Sequence, residues 1–177
     1  GDGLLLFGLG GSDILTGSST ADGLDGGAGK DKLKGKGGAD DLYGESGADV
    51  LKGGADSDYL DGGKGKDKLT GGEGADLLHG GKGKDKFIVT GVPQSTPDAP
   101  DTILDFMIGK DRIDLRKIDA RPGKADDDFH FIGTRDFTGH KGELRYEMSG
   151  GNTIVQGDTD GDGQADLAIV LVGKMTL

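Results

Sequence analysis

The 177-residue sequence predicts an all-β fold: a right-handed parallel β-roll of nonapeptide repeats, followed by a small antiparallel, sandwich-like β cap. Three observations carry this expectation. A nine-residue phrase recurs without insertion from Gly8 to Ile88, and each copy holds one large apolar residue at a fixed place. Beyond residue 91 the glycine-rich phrase gives way to short β-branched and aromatic runs. The chain is therefore divided into a roll, residues 1–91, and a cap, residues 92–177.

The repeat is anchored by an aspartate at its sixth place: Asp13, Asp22, Asp31, Asp40, Asp49, Asp58, Asp67, Asp76 and Asp85. Place eight holds Leu15, Leu24, Leu33, Leu42, Leu51, Leu60, Leu69, Leu78 and Phe87, and Leu6 survives from a preceding unit. Place one is glycine in all nine copies and place four in seven, with Thr20 and Asp56 as the exceptions. Phrases such as "KLK", "DLY" and "YLD" at places seven to nine read outward, inward, outward, which is strand alternation. Places one to six suit a tight turn with positive φ angles, which glycine adopts without a Cβ clash. A three-residue strand and a six-residue turn make half a coil. Two units then make one coil, and stacked coils form two short parallel sheets facing each other.

Every second turn falls on the same side of such a stack, about 4.8 Å above the last. Asp13, Asp31, Asp49, Asp67 and Asp85 line one edge; Asp22, Asp40, Asp58 and Asp76 line the other. Bare carboxylates about 5 Å apart repel by roughly 3 kcal/mol at an effective dielectric of 20. A hard divalent cation between successive turns reverses that sign, accepting carboxylate and turn-carbonyl oxygens. Four gaps on one edge and three on the other lead us to expect about seven Ca2+ ions. Mg2+ resists dehydration and wants a stricter octahedron. Zinc wants His or Cys, which the repeats lack apart from His79.

Composition agrees that something other than a large core holds the chain. It has 38 glycines and only 32% hydrophobic residues, too little apolar surface to offset the entropy of ordering. The formal charge of −11 argues against nucleic acid or an anionic membrane surface as partner, and no run is long enough to span a bilayer. The absence of cysteine excludes disulfides and thiolate zinc sites. The opening "GDGLLLFGLGG" has no basic leader, so no N-terminal signal peptide is expected.

The second half opens on "VTGVPQSTPDAP", with three of the four prolines, which ends the repeat. Six strand-like runs follow: "DTILDF", "DRIDL", "DFHFI", "GELRYEM", "NTIVQ" and "DLAIVLVG". A cap of this kind would close the open end of the stack. Within it, "DTDGDGQAD" sets Asp158, Asp160, Asp162 and Asp166 at the ligand spacing of an EF-hand-type loop, with Gly163 at the turn. Place twelve is Ile169 rather than glutamate, and strands flank the loop. It is either one further calcium site or a polar hairpin tip.

The repeats resemble the calcium-binding nonapeptides of RTX (hemolysin-type) proteins. "DTILDFMIGKDRIDL", "FTGHKGELRY" and "NTIVQGDTDGDGQADLAIVLVG" are similar to the segments that follow the repeats in serralysin-type secreted metalloproteases. The resemblance implies calcium held by place-six carboxylates and by backbone carbonyls of turn glycines, here Gly27, Gly29, Gly63, Gly65, Gly72, Gly74, Gly81 and Gly83. It also implies the type I secretion machinery as partner, an extracellular location, and an N-terminal catalytic domain in the parent chain. Two departures stand out. No H-E-x-x-H zinc motif is present, and His79, His130 and His140 are scattered. The chain also stops at "GKMTL", without the acidic residue and apolar tail of the family's secretion signal, and so reads as a fragment.

The expected function is that of a non-catalytic calcium-binding module that folds after type I secretion. We find no nucleophile–base pair, zinc triad or phosphate loop. The alternative is a polysaccharide-binding module of a secreted RTX carbohydrate-active enzyme. Lys32, Lys34, Lys52, Lys68 and Lys86 form a partly basic stripe that could meet an alginate-type polyuronate, or simply a solvated face.

Overall fold

The computed structural model describes residues 3–120 and 128–177; among these the regular structure is all β apart from one 3₁₀ turn, Val92–Gln94. Two parallel sheets face each other across the roll. One stacks Leu5–Phe7, Gly23–Asp25, Asp41–Tyr43, Tyr59–Asp61 and Leu77–His79. The other stacks Ile14–Thr16, Lys32–Gly37, Val50–Ala55, Lys68–Glu73 and Lys86–Ile88. Partners are a full coil apart in sequence: Leu24 lies beside Leu42, Leu42 beside Leu60, and Leu33 beside Leu51. Two nonapeptides therefore make one coil, as the strand–turn count requires.

The inward residue of each unit forms the core. Leu24, Leu33, Leu42, Leu51, Leu60, Leu69, Leu78 and Phe87 are all 0–2% exposed. Burying each is worth about 2 kcal/mol. With one such residue per nine, the core is a single file two leucines wide.

The two edges differ. On the edge of Asp31, Asp49 and Asp67 the turns add a third ladder of two-residue strands: Gly10–Gly11, Ala28–Gly29, Ser46–Gly47, Lys64–Gly65 and Lys82–Gly83. On the other edge the strands Lys32–Gly37, Val50–Ala55 and Lys68–Glu73 run on into the turn.

The stack does not stop where the repeat phrase does. Asp101–Ile103 adds to Leu77–His79 with Ile103 beside Leu78, and Arg112–Asp114 adds to Lys86–Ile88 with Ile113 beside Phe87. From Asp101–Ile103 the first sheet continues into the C-terminal part. Leu167–Leu171 pairs with it in parallel; Asn152–Asp158 and Glu143–Ser149 follow antiparallel; His130–Gly133 joins the far side in parallel. The result is one ten-stranded sheet, parallel through the roll and antiparallel from Leu167–Leu171 through Asn152–Asp158 to Glu143–Ser149. Tyr146, Val155, Leu167, Ile169 and Leu171 merge with the roll leucines into one core. Ser95, fully buried, ties the post-repeat segment to this sheet: its hydroxyl donates to the Ala168 carbonyl at 2.6 Å and accepts from the Asp101 amide at 2.8 Å.

Candidate metal centre

Each place-six aspartate ends a turn, and its side chain folds back under that turn. From Asp31 on, its Oδ1 accepts a hydrogen bond from the backbone N–H of the aspartate one coil earlier. Along one edge Asp13, Asp31, Asp49 and Asp67 donate to Asp31, Asp49, Asp67 and Asp85 at 2.8–3.0 Å. Along the other, Asp22, Asp40 and Asp58 donate to Asp40, Asp58 and Asp76 at 2.8–2.9 Å. All but Asp13 are 0–5% exposed. The two columns expected from the repeat are thus hydrogen-bonded chains, buried inside the turns.

The second oxygen is the informative one. In Asp13, Asp31, Asp40, Asp49, Asp58, Asp67, Asp76 and Asp85, Oδ2 is buried with no hydrogen-bond donor among the described residues. A buried, undonated carboxylate oxygen is costly and needs a proton or a cation. The place-one glycine shows what surrounds it. A Cβ added at Gly44 would lie 2.9 Å from Asp49 Oδ2 and 2.8 Å from the Gly62 carbonyl oxygen of the next coil. At Gly62 it would lie 2.9 Å from both Asp67 Oδ2 and the Gly80 carbonyl oxygen. Carboxylate and carbonyl oxygens therefore converge on a space that only glycine leaves open. This is an all-oxygen donor set of the kind calcium takes.

The turn glycines named from the family resemblance line the same stacks. The carbonyls of Gly27 and Gly63 accept the amides of Ser46 and Lys82 at 3.0 and 2.7 Å. Gly29 and Gly65 press their carbonyls against Gly47 and Gly83, where a Cβ would be only 1.4 and 1.6 Å away. Gly72, Gly74 and Gly81 stack in the same way on Gly54, Asp56 and Gly63.

Burial is the main influence on these carboxyls. It pushes Asp40, Asp49 and Asp85 above the ordinary carboxylate value, and Asp58 and Asp67 up to about 7, with column neighbours adding repulsion. Asp76 and Asp101 are raised together, first by burial. Asp22 goes the other way, because the amides of Leu4 and Ser18 donate to it at 2.6 and 2.5 Å.

Two members of the columns escaped the repeat analysis. Asp101 accepts the Asp76 amide at 3.2 Å, and Asp111 accepts the Asp85 amide at 3.0 Å. Each continues its column one coil further. Asp111 spends its other oxygen on the Met107 amide at 2.8 Å, so it ends the column without an undonated atom. The signal was present as "DTI" and "DRI", the same aspartate-x-apolar phrase as "DKL", only without the glycine-rich turn before it.

At the hairpin between Asn152–Asp158 and Leu167–Leu171, Asp158, Asp160 and Asp166 bring one carboxylate oxygen each within 4.8 Å of one another. Asp162 is not among them; it receives the Gln164 amide and side chain at 2.7 and 3.0 Å. Asp158 is held by the amides of Gly161 and Gly163 at 2.6 and 2.9 Å, and Asp166 by the amide and hydroxyl of Thr159. These bonds make a well-ordered polar tip whether or not an ion joins it. His79 sits between Asp61 and Asp105, its ring nitrogens 3.0 and 3.2 Å from their carboxylate oxygens.

A parallel β-roll with buried aspartate columns and an antiparallel cap defines the class of module. Residues 8–177 match the model of the peptidase M10 serralysin C-terminal family, and the chain belongs to that family. Metalloprotease AprA of Pseudomonas entomophila is 39% identical over 91 residues, half of this chain. That match spans only 18% of AprA, so the chain corresponds to a small part of the relative's length. The solution structure of the AlgE6R3 subunit of an Azotobacter vinelandii mannuronan C5-epimerase is 26% identical and covers 93% of this chain and 72% of that one. Its TM-score of 0.34 is too low to argue from. No helix among the described residues is long and apolar enough to cross a membrane.

Proposed function

We propose that this chain is a non-catalytic module that folds when calcium binds, and that it forms the C-terminal part of an exported protease or related enzyme. The observation that carries the reading is the file of buried Oδ2 atoms without donors, with a carbonyl of the next coil closing on the same space at Asp13, Asp40, Asp49 and Asp67. Ions would sit between successive turns, four on the edge of Asp13 to Asp85 and three on the edge of Asp22 to Asp76, about seven in all. The extra members Asp101 and Asp111 cap the columns. The hairpin of Asp158, Asp160 and Asp166 is compatible with one more ion.

The proposed consequence is a switch set by location. Where calcium is scarce, carboxylate repulsion and glycine entropy leave the repeats unfolded, a state suited to passage through a type I exporter. Outside, calcium about tenfold above a typical extracellular Kd of 10⁻⁴ to 10⁻³ M adds roughly 1.4 kcal/mol per site. Seven sites then contribute about 10 kcal/mol, comparable with the entire stability of a domain. Far-UV circular dichroism checks this: β signal should appear on titrating millimolar calcium into the EGTA-treated chain. Asp58→Asn should move the midpoint to higher calcium, whereas Asp41→Asn, exposed on the outer face, should leave it in place. Full β signal in EGTA at neutral pH would refute the reading.

A further inference from the structure

The two outer faces of the roll carry opposite charge. On the sheet from Ile14–Thr16 to Arg112–Asp114 the outward positions include Lys32, Lys34, Lys52, Lys68, Lys86 and Arg112, against two carboxylates, Asp114 and, where its strand runs into the turn, Glu73. The strands Leu5–Phe7 to Leu77–His79 of the other sheet present Asp25, Asp41 and Asp61 and no lysine or arginine. Register sets Lys34 beside Lys52, Lys68 beside Lys86, and Lys86 beside Arg112 on adjacent strands. Like charges opposite one another weaken a sheet. The chain nevertheless keeps its surplus of acids, 32 against 21 basic residues, off this face.

A groove of about 720 Å³ lies along this face. Lys34, Lys52, Lys68 and Thr70 form its floor, and Gln94 and Lys117 rise beside it from the segments after the repeat. Asp114 does not cancel the charge. It is committed to Arg116, whose Nε and Nη2 donate to it at 2.9 and 2.8 Å, and to Lys86 at 3.5 Å. Lys34, Lys52, Lys68 and Lys117 are in no ion pair among the described residues. Lys34 and Lys52 sit side by side on adjacent strands, about 4.8 Å apart, Thr70 follows beside Lys52, and Lys68 stands two places away on the strand of Thr70, opposite Val50.

We infer that this groove binds a linear acidic polysaccharide bearing a carboxylate on each sugar ring, laid along the stacking direction. Ring carboxylates meet the ammonium groups of Lys34, Lys52 and Lys68, and Thr70 and Gln94 hydrogen-bond ring hydroxyls. No aromatic side chain lines the groove, so a nucleic acid would find no stacking platform.

The test uses the full chain folded in millimolar calcium, titrated calorimetrically with a homopolymeric uronate oligosaccharide. Binding is expected to weaken with added salt, as attraction between exposed charges does. The combined variant Lys34→Gln, Lys52→Gln, Lys68→Gln should lose about tenfold in affinity, the effect of three modest ion pairs. Its calcium-dependent circular dichroism should match the parent; if it does not, Lys52→Gln alone is read, with a smaller loss expected. A methyl-esterified oligomer should not bind. The inference is overturned by no binding, by an unchanged affinity in the lysine variant, or by equal affinity for a single-stranded oligonucleotide of the same charge. Because the chain is already folded by calcium, failure here is separate from failure of the proposed switch.

Discussion

From Asp31 on, each place-six carboxylate divides its two oxygens between two tasks. Oδ1 holds the coil before it, at 2.8 Å in the pair Asp31–Asp49, while Oδ2 stays undonated in a buried cradle. On the proposed calcium reading, protons and calcium compete for the same atom. Asp58 and Asp67 have carboxyls raised from 3.8 to about 7 by burial. Without calcium, the folded state therefore holds protons that the unfolded chain has lost between about pH 4 and pH 7. The stability from these groups is fully present below the unfolded value near 4 and is lost as pH rises through 7. We expect β signal in EGTA to grow on acidification from pH 7.5 towards pH 5, and the calcium midpoint over the same range to move to higher calcium. Circular dichroism at fixed pH steps measures both. The phased aspartates were legible because nothing but a repeat produces that spacing. Asp101 and Asp111 were not, because they sit 25 and 26 residues beyond their partners rather than 18.

The turns owe their shape to close approach between coils more than to glycine's flexibility alone. At Gly47, φ is +153° and a Cβ would lie 1.4 Å from the Gly29 carbonyl oxygen. Gly47→Ala should cost at least about 3 kcal/mol through strain and overpacking. Gly37 is a useful contrast, since its nearest neighbour to an added Cβ is Ser19 Cα at 3.9 Å. Gly37→Ala should shift stability by only about 0.5 kcal/mol. Denaturant unfolding in saturating calcium compares the two. Both glycines look alike in the repeat, at places four and three, and only the stacked coils tell them apart. The six strand-like runs after the repeat each contain a strand, because β-branched alternation is a local signal. Their pairing was not legible. Leu167–Leu171 lies between Asp101–Ile103 and Asn152–Asp158, an order decided by contacts such as Ser95 to Ala168 across 73 residues.

At the scale of the molecule, each coil of the roll touches chiefly the coil before and the coil after it. Leu42 meets Leu24 and Leu60, and Asp49 bonds Asp31 and Asp67. Stability is then close to a sum of neighbour terms. Removing residues 44–61 would join Tyr43 to Gly62, a junction of the same repeat places as Tyr43–Gly44, and would set Leu42 beside Leu78. The shortened chain should still fold in calcium and should bind about two fewer ions by native mass spectrometry, one from each edge. A chain that fails to fold would mean that the coils are not interchangeable.

That equivalence turns the coil into a unit of growth. In-frame duplication or loss of eighteen codons would lengthen or shorten the rod by one step while leaving every side chain facing the way it did. A gene encoding such a rod can tune how far it holds its two ends apart and, on the proposed switch, how much cation it needs before it sets, by copying alone.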